Sequence, residues 1–477
     1  MNSAVTLPVG RLAWKQRPLA ELLRLSWPSV LSLLSVSTMT LVDSLFVGHL
    51  GPVQLAASGL GGVCVFAVLS FGLAVFGAAK VEVGLHHGAG NTSAVERSLG
   101  GFLRLALVLG GASLVVGELT GLSLPFLSAD EPTGVLAGKY AAVRALSFPC
   151  ALVTAAIGGW LQAQGDSKSG MRAALLANVT NVPLNYFFIF VLGWGLLGAG
   201  LSTVIAQFLE MTWLVVRQAR GHNAASPQSH LPAGLHWQHG SMQGALRALR
   251  IGLPTGLERV LDMIAFAAVP LLLAQLGPLH VAAHQIVLQI MLFSFLPLMA
   301  LSETVSVLVS QALGAHEPLV VRVIVRLGLL CSLIYGALCA TVCLGLATPL
   351  ASAFSQDRAL VELSASTLFI GAGLQLVNAA YNLLKGVLRG LSAFRFVALV
   401  TVGCAWIITP PFTYLIGVRL GWGVQGAWLV LCAEVTLGTL IMGRRVLSLL
   451  SRLHSVTRLH SVTQLHSVTA RATTNKH

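Results

Sequence analysis

The sequence predicts an all-α integral membrane protein whose twelve transmembrane helices form two pseudo-symmetric six-helix lobes. Composition is the first reason: only 9% of the 477 residues are charged, 55% are hydrophobic, and the mean hydropathy is +0.82. A soluble fold could not bury this much apolar surface. The second reason is the recurrence of long apolar runs along the whole chain, and the third is an internal duplication.

Apolar runs of about 20 residues or more are long enough to cross a hydrocarbon core of about 30 Å as helices. Several runs exceed about 25 residues, which indicates tilted spans rather than additional crossings. We predict the twelve spans near residues 21–49, 54–80, 100–126, 133–163, 169–193, 198–218, 248–275, 281–310, 322–352, 359–389, 393–417 and 424–448.

The duplication is seen when the chain is laid over itself so that Pro254 falls on Pro28, because the two halves then match without a gap. The coinciding positions are mainly turn residues in the same order, so chance similarity between two apolar sequences explains them poorly. Two similar lobes can rock about a shared cavity and expose one central site to each side of a membrane in turn. We call the shift that places Pro28 on Pro254 the first offset. It also matches the Leu-Gly-Pro turns at 50–52 and 276–278, and Gly88-Ala89 with Gly314-Ala315. A slightly larger shift, the second offset, matches the Gly-Trp-Gly turns at 193–195 and 421–423.

Two polar segments interrupt the membrane pattern. The segment between the sixth and seventh spans holds four histidines, whose irregular spacing favours a solvated loop over a metal site. The C-terminal segment repeats Leu-His-Ser-Val-Thr, and because its six-residue period fits neither a coiled coil nor a helical face, we expect disorder there. The predicted organisation is a cytoplasmic N-terminal segment (1–20), an amino lobe with spans one to six (21–218), a cytoplasmic interlobe linker (219–246), a carboxyl lobe with spans seven to twelve (247–448) and a disordered cytoplasmic tail (449–477).

The basic residues are distributed unevenly between the two sides of the membrane. With both termini in the cytoplasm, all of the 29 lysines and arginines fall on the cytoplasmic side except Lys139, Arg144, Arg358 and Arg419. This asymmetry predicts a multi-pass protein of the inner (plasma) membrane with both termini cytoplasmic. Topology and the anionic lipids of the bilayer also account for the net charge of +13, so we expect no nucleic-acid partner.

The sequence carries no sign of an enzyme. It has no Ser/His/Asp arrangement, no glycine-rich phosphate-binding loop and no nucleotide-binding domain, so we expect no cofactor and an ion gradient as the energy source. His280 and His284 have the spacing of a metal pair but lack a third ligand, and the seven cysteines fall within spans without metal-site spacing. We therefore expect no metal, and we expect the protein to function as a monomer.

Asp43 in the first span is the clearest functional candidate, because charges inside a membrane are expensive. It follows Pro28, which removes a backbone hydrogen bond and allows a helix bend, as Pro254 does in the seventh span. An isolated carboxyl group in apolar surroundings can take up and release a proton, since burial disfavours its charged form. The alternative interpretation of Asp43 is a structural ion pair.

Further polar residues lie on the fifth and sixth spans. Asn181 and Asn185 are four residues apart and therefore share a helical face, and Thr203 lies on the next span. Together with Asp43 they offer oxygen ligands for a proton, a water molecule or Na⁺. Polar residues that only hold helices together are the alternative.

The carboxyl half contains charged candidates of its own. Glu258 and Asp262 are one turn apart, so they share a face of the seventh span and repel each other. Glu303 in the eighth span and Lys385 in the tenth could meet as a neutralising pair or contact a transported compound. Near the inner end of the second span, we interpret Lys80 as a side chain that snorkels to the membrane surface.

These candidates lie within a series of short motifs. The motifs are Pro28 followed by Val-Asp-Ser-Leu-Phe-Val-Gly-His-Leu-Gly at 42–51, Gly-Ala-Gly at 88–90, Asn-Val-Pro-Leu-Asn-Tyr at 181–186, Gly-Ala at 198–199 before Thr203, Ala-Ala-His-Gln-Ile at 282–286, Gln-Ala-Leu-Gly-Ala at 311–315 and Leu-Arg-Gly at 388–390. No single motif is specific, but their order and spacing resemble the multidrug and toxic compound extrusion (MATE) family over about residues 20–448.

The resemblance implies a secondary active antiporter that exports amphipathic, often cationic organic compounds in exchange for H⁺ or Na⁺ by alternating access of its two lobes. Asp262 matches an acidic residue of the sodium-coupled members, whereas Asn378 stands where those members have an aspartate on the tenth span. This departure favours H⁺ coupling through the amino lobe. The residues that match the family's cation-coupling cluster are Asp43, Asn181, Asn185 and Thr203.

Two other transporter classes stay open. A flippase of the same superfamily that moves a lipid-linked precursor should line its cavity with arginine or lysine for the pyrophosphate, whereas the mid-span charges here are mostly acidic. A major-facilitator-type transporter also has twelve spans in two halves, but residues 84–90, Gly-Leu-His-His-Gly-Ala-Gly, lack the glycine-, aspartate- and arginine-containing motif of that class. The sequence identifies neither the exported compound nor the coupling ion.

Overall fold

The computed structural model describes Lys15 and residues 17–128, 130–225 and 241–474, a part of the chain that is almost entirely helical and contains no β-strand. Two π-helical turns, Phe187–Val191 and Thr413–Arg419, extend α6 and α13, and a 3-10 turn, Ala274–Leu276, extends α8. The helices are α1 (Pro18–Gly48), α2 (Pro52–Gly88), α3 (Thr92–Leu127), α4 (Glu131–Ala145), α5 (Phe148–Ala163), α6 (Ser167–Tyr186), α7 (Gly195–Ala225), α8 (Met242–Leu273), α9 (Pro278–Gly314), α10 (Pro318–Gly345), α11 (Ala347–Ser352), α12 (Arg358–Gly390), α13 (Phe394–Phe412) and α14 (Gly423–Thr474).

The predicted membrane architecture is confirmed, with differences at the fourth and seventh spans. Ten of the described helices are long and apolar enough to cross a membrane, and α4 and α5 qualify together as one span bent by 44°. The bend lies beside Pro149, whose missing N–H prevents a continuous helix, so the predicted span 133–163 is not a single helix. The seventh predicted span is α8, which has 32 residues but carries Glu258, Arg259 and Asp262 and does not qualify by composition.

The two halves of the described chain repeat the same backbone details at the offsets found in the sequence. Gly51 and Gly277, which coincide at the first offset, have φ angles of 114° and 104° at the Leu-Gly-Pro turns, a conformation that strains other residues. Both π-helical turns closely follow a proline, Pro183 in one half and Pro411 in the other, and these prolines coincide at the second offset. Apolar composition alone does not require such repeated irregularities, so they indicate two copies of one structural unit.

Each half has its own hydrophobic core, and the first helix of the other half completes it. Leu22 and Leu25 of α1 pack with α9, α10 and α12 in the core of the carboxyl half. Ala245 and Ala248 of α8 are buried with α2, α3 and α5 in the core of the amino half. Ala248 coincides with Leu22 at the first offset, so this exchange of helix ends follows the same pseudo-two-fold symmetry as the sequence.

The ends of α2 and α9 cross with their backbones in contact. A Cβ atom on Gly88 would overlap the carbonyl oxygen of Gln311, and a Cβ atom on Gly314 would overlap the carbonyl oxygen of Leu85. The two contacts are reciprocal, since Gly88 coincides with Gly314 and Leu85 with Gln311 at the first offset. Glycine is therefore required at both positions for the two halves to meet this closely.

Most hydrogen bonds and ion pairs between the two halves of the described chain lie toward this same end of the molecule, and the exception is Ser70–Met263, near the middle of α2. The opposite ends of α2 and α9 begin at Pro52 and Pro278, and no residue described there forms such a bond. The two lobes are thus joined at one end and separate at the other. The bonded pairs are Ser70–Met263, Lys80–Glu303, Glu82–Arg247, Ala163–Gln311 and Lys15–Glu317.

Helices continue into the segments that the sequence predicts between and after the lobes. Helix α7 continues to Ala225 and α8 begins at Met242, so helices extend into both ends of the predicted linker 219–246. His222 belongs to α7, whereas the other three histidines of this segment, at 230, 236 and 239, lie outside the described residues. Helix α14 continues to Thr474, into the segment 449–477 for which the sequence predicts disorder. Residues added to the end of an existing helix need no separate nucleation step. The six-residue period of the repeat does not indicate whether such an extension occurs.

Candidate functional site

Asp43 lies near the end of α1, in the half of the amino lobe that is away from the interlobe contacts. Its carboxylate accepts hydrogen bonds from two other helices. Asn185 Nδ2 of α6 donates to Oδ1 at 2.5 Å, and Thr203 Oγ1 of α7 donates to Oδ2 at 3.3 Å. Both donors are buried, so residues from three helices meet at one carboxyl group inside the lobe.

The amide side chains behind Asp43 form a closed network of hydrogen bonds. Asn185 Nδ2 also donates to Asn181 Oδ1 at 2.8 Å, and Asn181 Nδ2 donates to Ser202 Oγ at 3.4 Å. The Ser202 hydroxyl lies in hydrogen-bond contact with Asn185 Oδ1 and with the carbonyl of Ala199. The oxygen atoms of both amides therefore already face N–H or O–H donors.

Sequence reasoning missed Ser202. A serine in an apolar span is an ordinary small packing residue, and Ser202 stands beside the stronger candidate Thr203. Adjacent residues on a helix point in different directions, so only the packing of α6 against α7 brings both hydroxyl groups to the site.

Arg144 is a positive charge beside this network. It lies in the last turn of α4 between Ala141 and Ala145, which are both fully buried in the amino-lobe core. Its guanidinium is close enough to interact electrostatically with Asp43 and with Tyr140. The sequence predicts Arg144 on or near the outer side of the membrane; in the structure it stands at the end of α4, directly before the bend, and its Nε and Nη1 atoms are buried.

In the carboxyl lobe, two cations of α12 hold Glu258. Lys385 Nζ lies 2.9 Å from Glu258 Oε1, and Arg389 Nη2 donates to Oε1 and Oε2 at 2.9 and 3.1 Å. Lys385 also lies over the ring of Tyr381, 5.1 Å from its centroid, and interacts electrostatically with Asp262. Glu258 is thus paired with two cations, which satisfies the requirement that a buried charge be paired. Sequence reasoning did not include Arg389.

Two other predicted residues of the carboxyl lobe bond elsewhere. Asn378 Oδ1 accepts a hydrogen bond from Asn382 at 2.8 Å, one turn later on the same helix. Glu303 pairs with Lys80 of α2 at 3.1 Å, so the predicted pair of Glu303 with Lys385 is wrong. The crossing of α2 and α9 turns Glu303 toward the opposite lobe, and Lys80 is buried there rather than extended to the membrane surface.

The histidines of α9 take part in packing. His280 Nδ1 accepts a hydrogen bond from the backbone N–H of Val424 at 3.3 Å, and His284 lies between the rings of Phe266 and Trp428. Within the described ranges, no three histidine, cysteine or carboxylate side chains come together in a way that could hold a metal ion.

Comparison with known proteins gives two matches within this one chain. The MatE family matches residues 28–187 and again residues 254–415. The starts of the two matches are related by the first offset and their ends by the second, so the family comparison finds the same duplication as the sequence itself. Together the matches cover more than half of the chain.

Similar proteins and structures agree over nearly the whole length. A probable multidrug resistance protein NorM of Acinetobacter baylyi is 26% identical over 446 residues, covering 92% of this chain and 98% of that protein. A protein of the same name from Pseudomonas aeruginosa is 30% identical over 428 residues, covering 86% and 85%. A solved structure described as the outward-facing conformation of a multidrug resistance MATE family transporter has the same fold, with a TM-score of 0.84 at 18% identity over 94% of this chain and 99% of that one. The chain therefore belongs to the MatE family, the multidrug and toxic compound extrusion family.

Proposed function

We propose that this protein is a secondary active efflux antiporter of the plasma membrane, which exports amphipathic, often cationic organic compounds in exchange for H⁺. The observation that carries the proposal is the Asp43 carboxylate, held between α1, α6 and α7 by Asn185 and Thr203. The names of the similar proteins, probable multidrug resistance proteins, support the substrate class.

The arrangement of the lobes supports alternating access. The interlobe bonds close one end of the molecule, and Asp43 lies toward the other end. With both termini in the cytoplasm, as the basic residues predict, the closed end faces the cytoplasm and this conformation is outward-facing. An exporter in this state can release its cargo to the outside and accept a proton from there.

Protonation of Asp43 changes the bonds that tie the three helices together. As a carboxylate, Asp43 only accepts hydrogen bonds and fits the two donors that face it. Once protonated, one of its oxygens becomes a donor and a weaker acceptor, so the contact at that oxygen is weakened. The packing of α1 against α6 and α7 is thereby linked to the charge of one side chain.

The donor pattern supports H⁺ rather than Na⁺ as the coupling ion. Na⁺ is bound by oxygen atoms that are free to point at it. The amide oxygens of Asn181 and Asn185 already accept hydrogen bonds, and in the carboxyl lobe Glu258 is occupied by two cationic side chains. The same pairing leaves Lys385 and Arg389 less available for a pyrophosphate, which disfavours the flippase alternative.

The experiment that tests this function is transport of ethidium, a fluorescent organic cation, by the purified protein in lipid vesicles. Separate pH and Na⁺ gradients are imposed on wild type and on Asp43→Asn. We expect transport driven by the pH gradient in wild type and its loss in Asp43→Asn. Export driven equally well by the pH gradient in Asp43→Asn would show that another group carries the proton.

A matched control makes the same chemical change at the surface. Asp130 caps the N-terminus of α4 by accepting the backbone N–H of Thr133 at 3.2 Å, and it is exposed. Asparagine caps helices about as well as aspartate. Asp130→Asn should therefore transport like wild type, which separates the loss of a carboxylate in general from the loss of this one.

A further inference from the structure

Arg144 is unusual because two of its donor atoms are buried without being used. The Nε and Nη1 atoms are both buried and have no hydrogen-bond partner. A buried N–H group without a partner costs free energy, because its bonds to water are lost and not replaced. A guanidinium has five N–H donors in total. Charged groups inside a membrane protein usually mark functional sites, and the ionisable side chains with which Arg144 interacts are Tyr140, its hydrogen-bond partner, and Asp43.

The position of Arg144 is fixed by packing rather than by a loop. The ring of Tyr140, one turn before Arg144, lies 3.4 Å from the position a Cβ atom on Gly200 would take, and Gly200 precedes Thr203 by one turn of α7. The last turn of α4 is therefore packed directly against the helix that supplies Thr203 to Asp43. Arg144 shares this turn and has little freedom to leave the lobe.

We propose that Arg144 is the residue that makes the amino-lobe site selective for protons, because it supplies the positive charge that Na⁺ would otherwise bring to Asp43. This inference rests on the proposed function. A sodium ion next to Asp43 would be repelled by the guanidinium, whereas a proton binds covalently to the carboxylate and adds no separate ion. Among the described residues, Arg144 is the charged group that acts on Asp43, and Tyr140 is the other titratable group of this cluster.

The same charge helps to release a cationic compound. While Asp43 is ionised, it and Arg144 cancel, and the lobe carries no net charge at this place. After protonation the guanidinium is left uncompensated, so the lobe gains one positive charge and repels a cation held nearby. Without Arg144 the same proton would only bring the lobe from one negative charge to neutrality.

The test compares Arg144→Gln, Arg144→Lys and Lys139→Gln. Lys139 lies on the same helix but is exposed, so it controls for the loss of a positive charge. Ethidium transport driven by a pH gradient is measured across a range of pH, with equal Na⁺ or equal choline on both sides. In Arg144→Gln we expect Na⁺ to inhibit transport several-fold and the midpoint of the pH dependence to move upward by about one pH unit, as expected for loss of one neighbouring opposite charge. Arg144→Lys and Lys139→Gln should behave like wild type.

A second readout does not require transport. The melting temperature of the purified proteins is measured in NaCl and in choline chloride. We expect a Na⁺-specific stabilisation of Arg144→Gln that is absent in wild type and in the double variant Asp43→Asn/Arg144→Gln. If Arg144→Gln matches wild type in its Na⁺ response and pH midpoint, or gains no Na⁺-specific stabilisation, the inference is overturned. The proposed function fails separately, if Asp43→Asn keeps full proton-driven transport.

Discussion

Replacing Glu303 by glutamine should weaken the closed end of the transporter more than replacing Lys80 by methionine. The side chain of Lys80 is 5% exposed, whereas that of Glu303 is 46% exposed. Glu303→Gln leaves a buried ammonium group whose remaining hydrogen bond is to Gln162 Oε1 at 2.8 Å. Lys80→Met leaves a carboxylate that water can solvate. Leaving Lys80 unpaired therefore costs more free energy than leaving Glu303 unpaired.

The expected magnitudes follow from this asymmetry. Removing one partner of a fully buried ion pair costs about 3–5 kcal/mol, and exposed pairs are worth only about 0–1 kcal/mol. Because this pair is buried at one end only, we expect a cost of about 2 kcal/mol for Glu303→Gln and less than about 1 kcal/mol for Lys80→Met. A cost of about 2 kcal/mol changes the equilibrium between the closed and open forms of this end about 30-fold.

The assay is hydrogen exchange of the backbone amides at the ends of α2 and α9, which are protected while the lobes are in contact there. Both single variants and the double variant are measured as a double-mutant cycle. Glu362→Gln is the control, because it breaks the Arg358–Glu362 pair, whose side chains are 91% and 67% exposed. The reasoning is refuted if Glu303→Gln exchanges like wild type, if Lys80→Met has the larger effect, or if the two changes are additive.

Three further results are expected. Gly314→Ala should separate the ends of α2 and α9, seen as faster amide exchange there, whereas Gly77→Ala, which has open space around its Cβ position, should not. Glu258→Gln leaves Lys385 and Arg389 without a buried counter-charge, so we expect the free energy of unfolding to fall by about 3 kcal/mol, measured as a lower melting temperature. An unchanged melting temperature would contradict the pairing of Glu258 with these two cations. Asn185→Leu removes the shorter of the two bonds to Asp43, and we expect about a tenfold loss of proton-driven ethidium transport, the effect of losing one hydrogen bond to a charged group; wild-type activity would contradict it.

Much of the fold could be predicted from the sequence because the membrane leaves few choices. Long apolar runs must be helices in lipid, since every backbone polar group has to be satisfied within the segment. The duplication then predicted that the two halves are alike, through turn residues such as Gly51 and Gly277, whose positive φ angles are required by the local turn. The bend between α4 and α5 was missed, because hydropathy reports apolar length and not helix continuity.

The candidate sites could be predicted only in part. Asp43 and its partners are conspicuous, since a carboxyl group and two amides stand out in an apolar sequence. The partner of a charge depends on which helices pack together, and the pairing of Glu303 with Lys80 follows from a crossing of α2 and α9 that no local pattern encodes. The surroundings of Arg144 could not be predicted for the same reason, because only the packing of α4 against α7 shows which residues its turn contacts.

The most direct test of the central claim is whether binding of an organic cation changes the number of protons bound to Asp43. Ethidium is added to the purified wild-type protein in weakly buffered detergent solution, and proton release is recorded with a pH indicator. Linkage requires that a cation and a proton that exclude each other displace one another. We predict proton release from wild type and none from Asp43→Asn at saturating ethidium. Equal release from both proteins, or none from wild type while ethidium binds, would contradict the account.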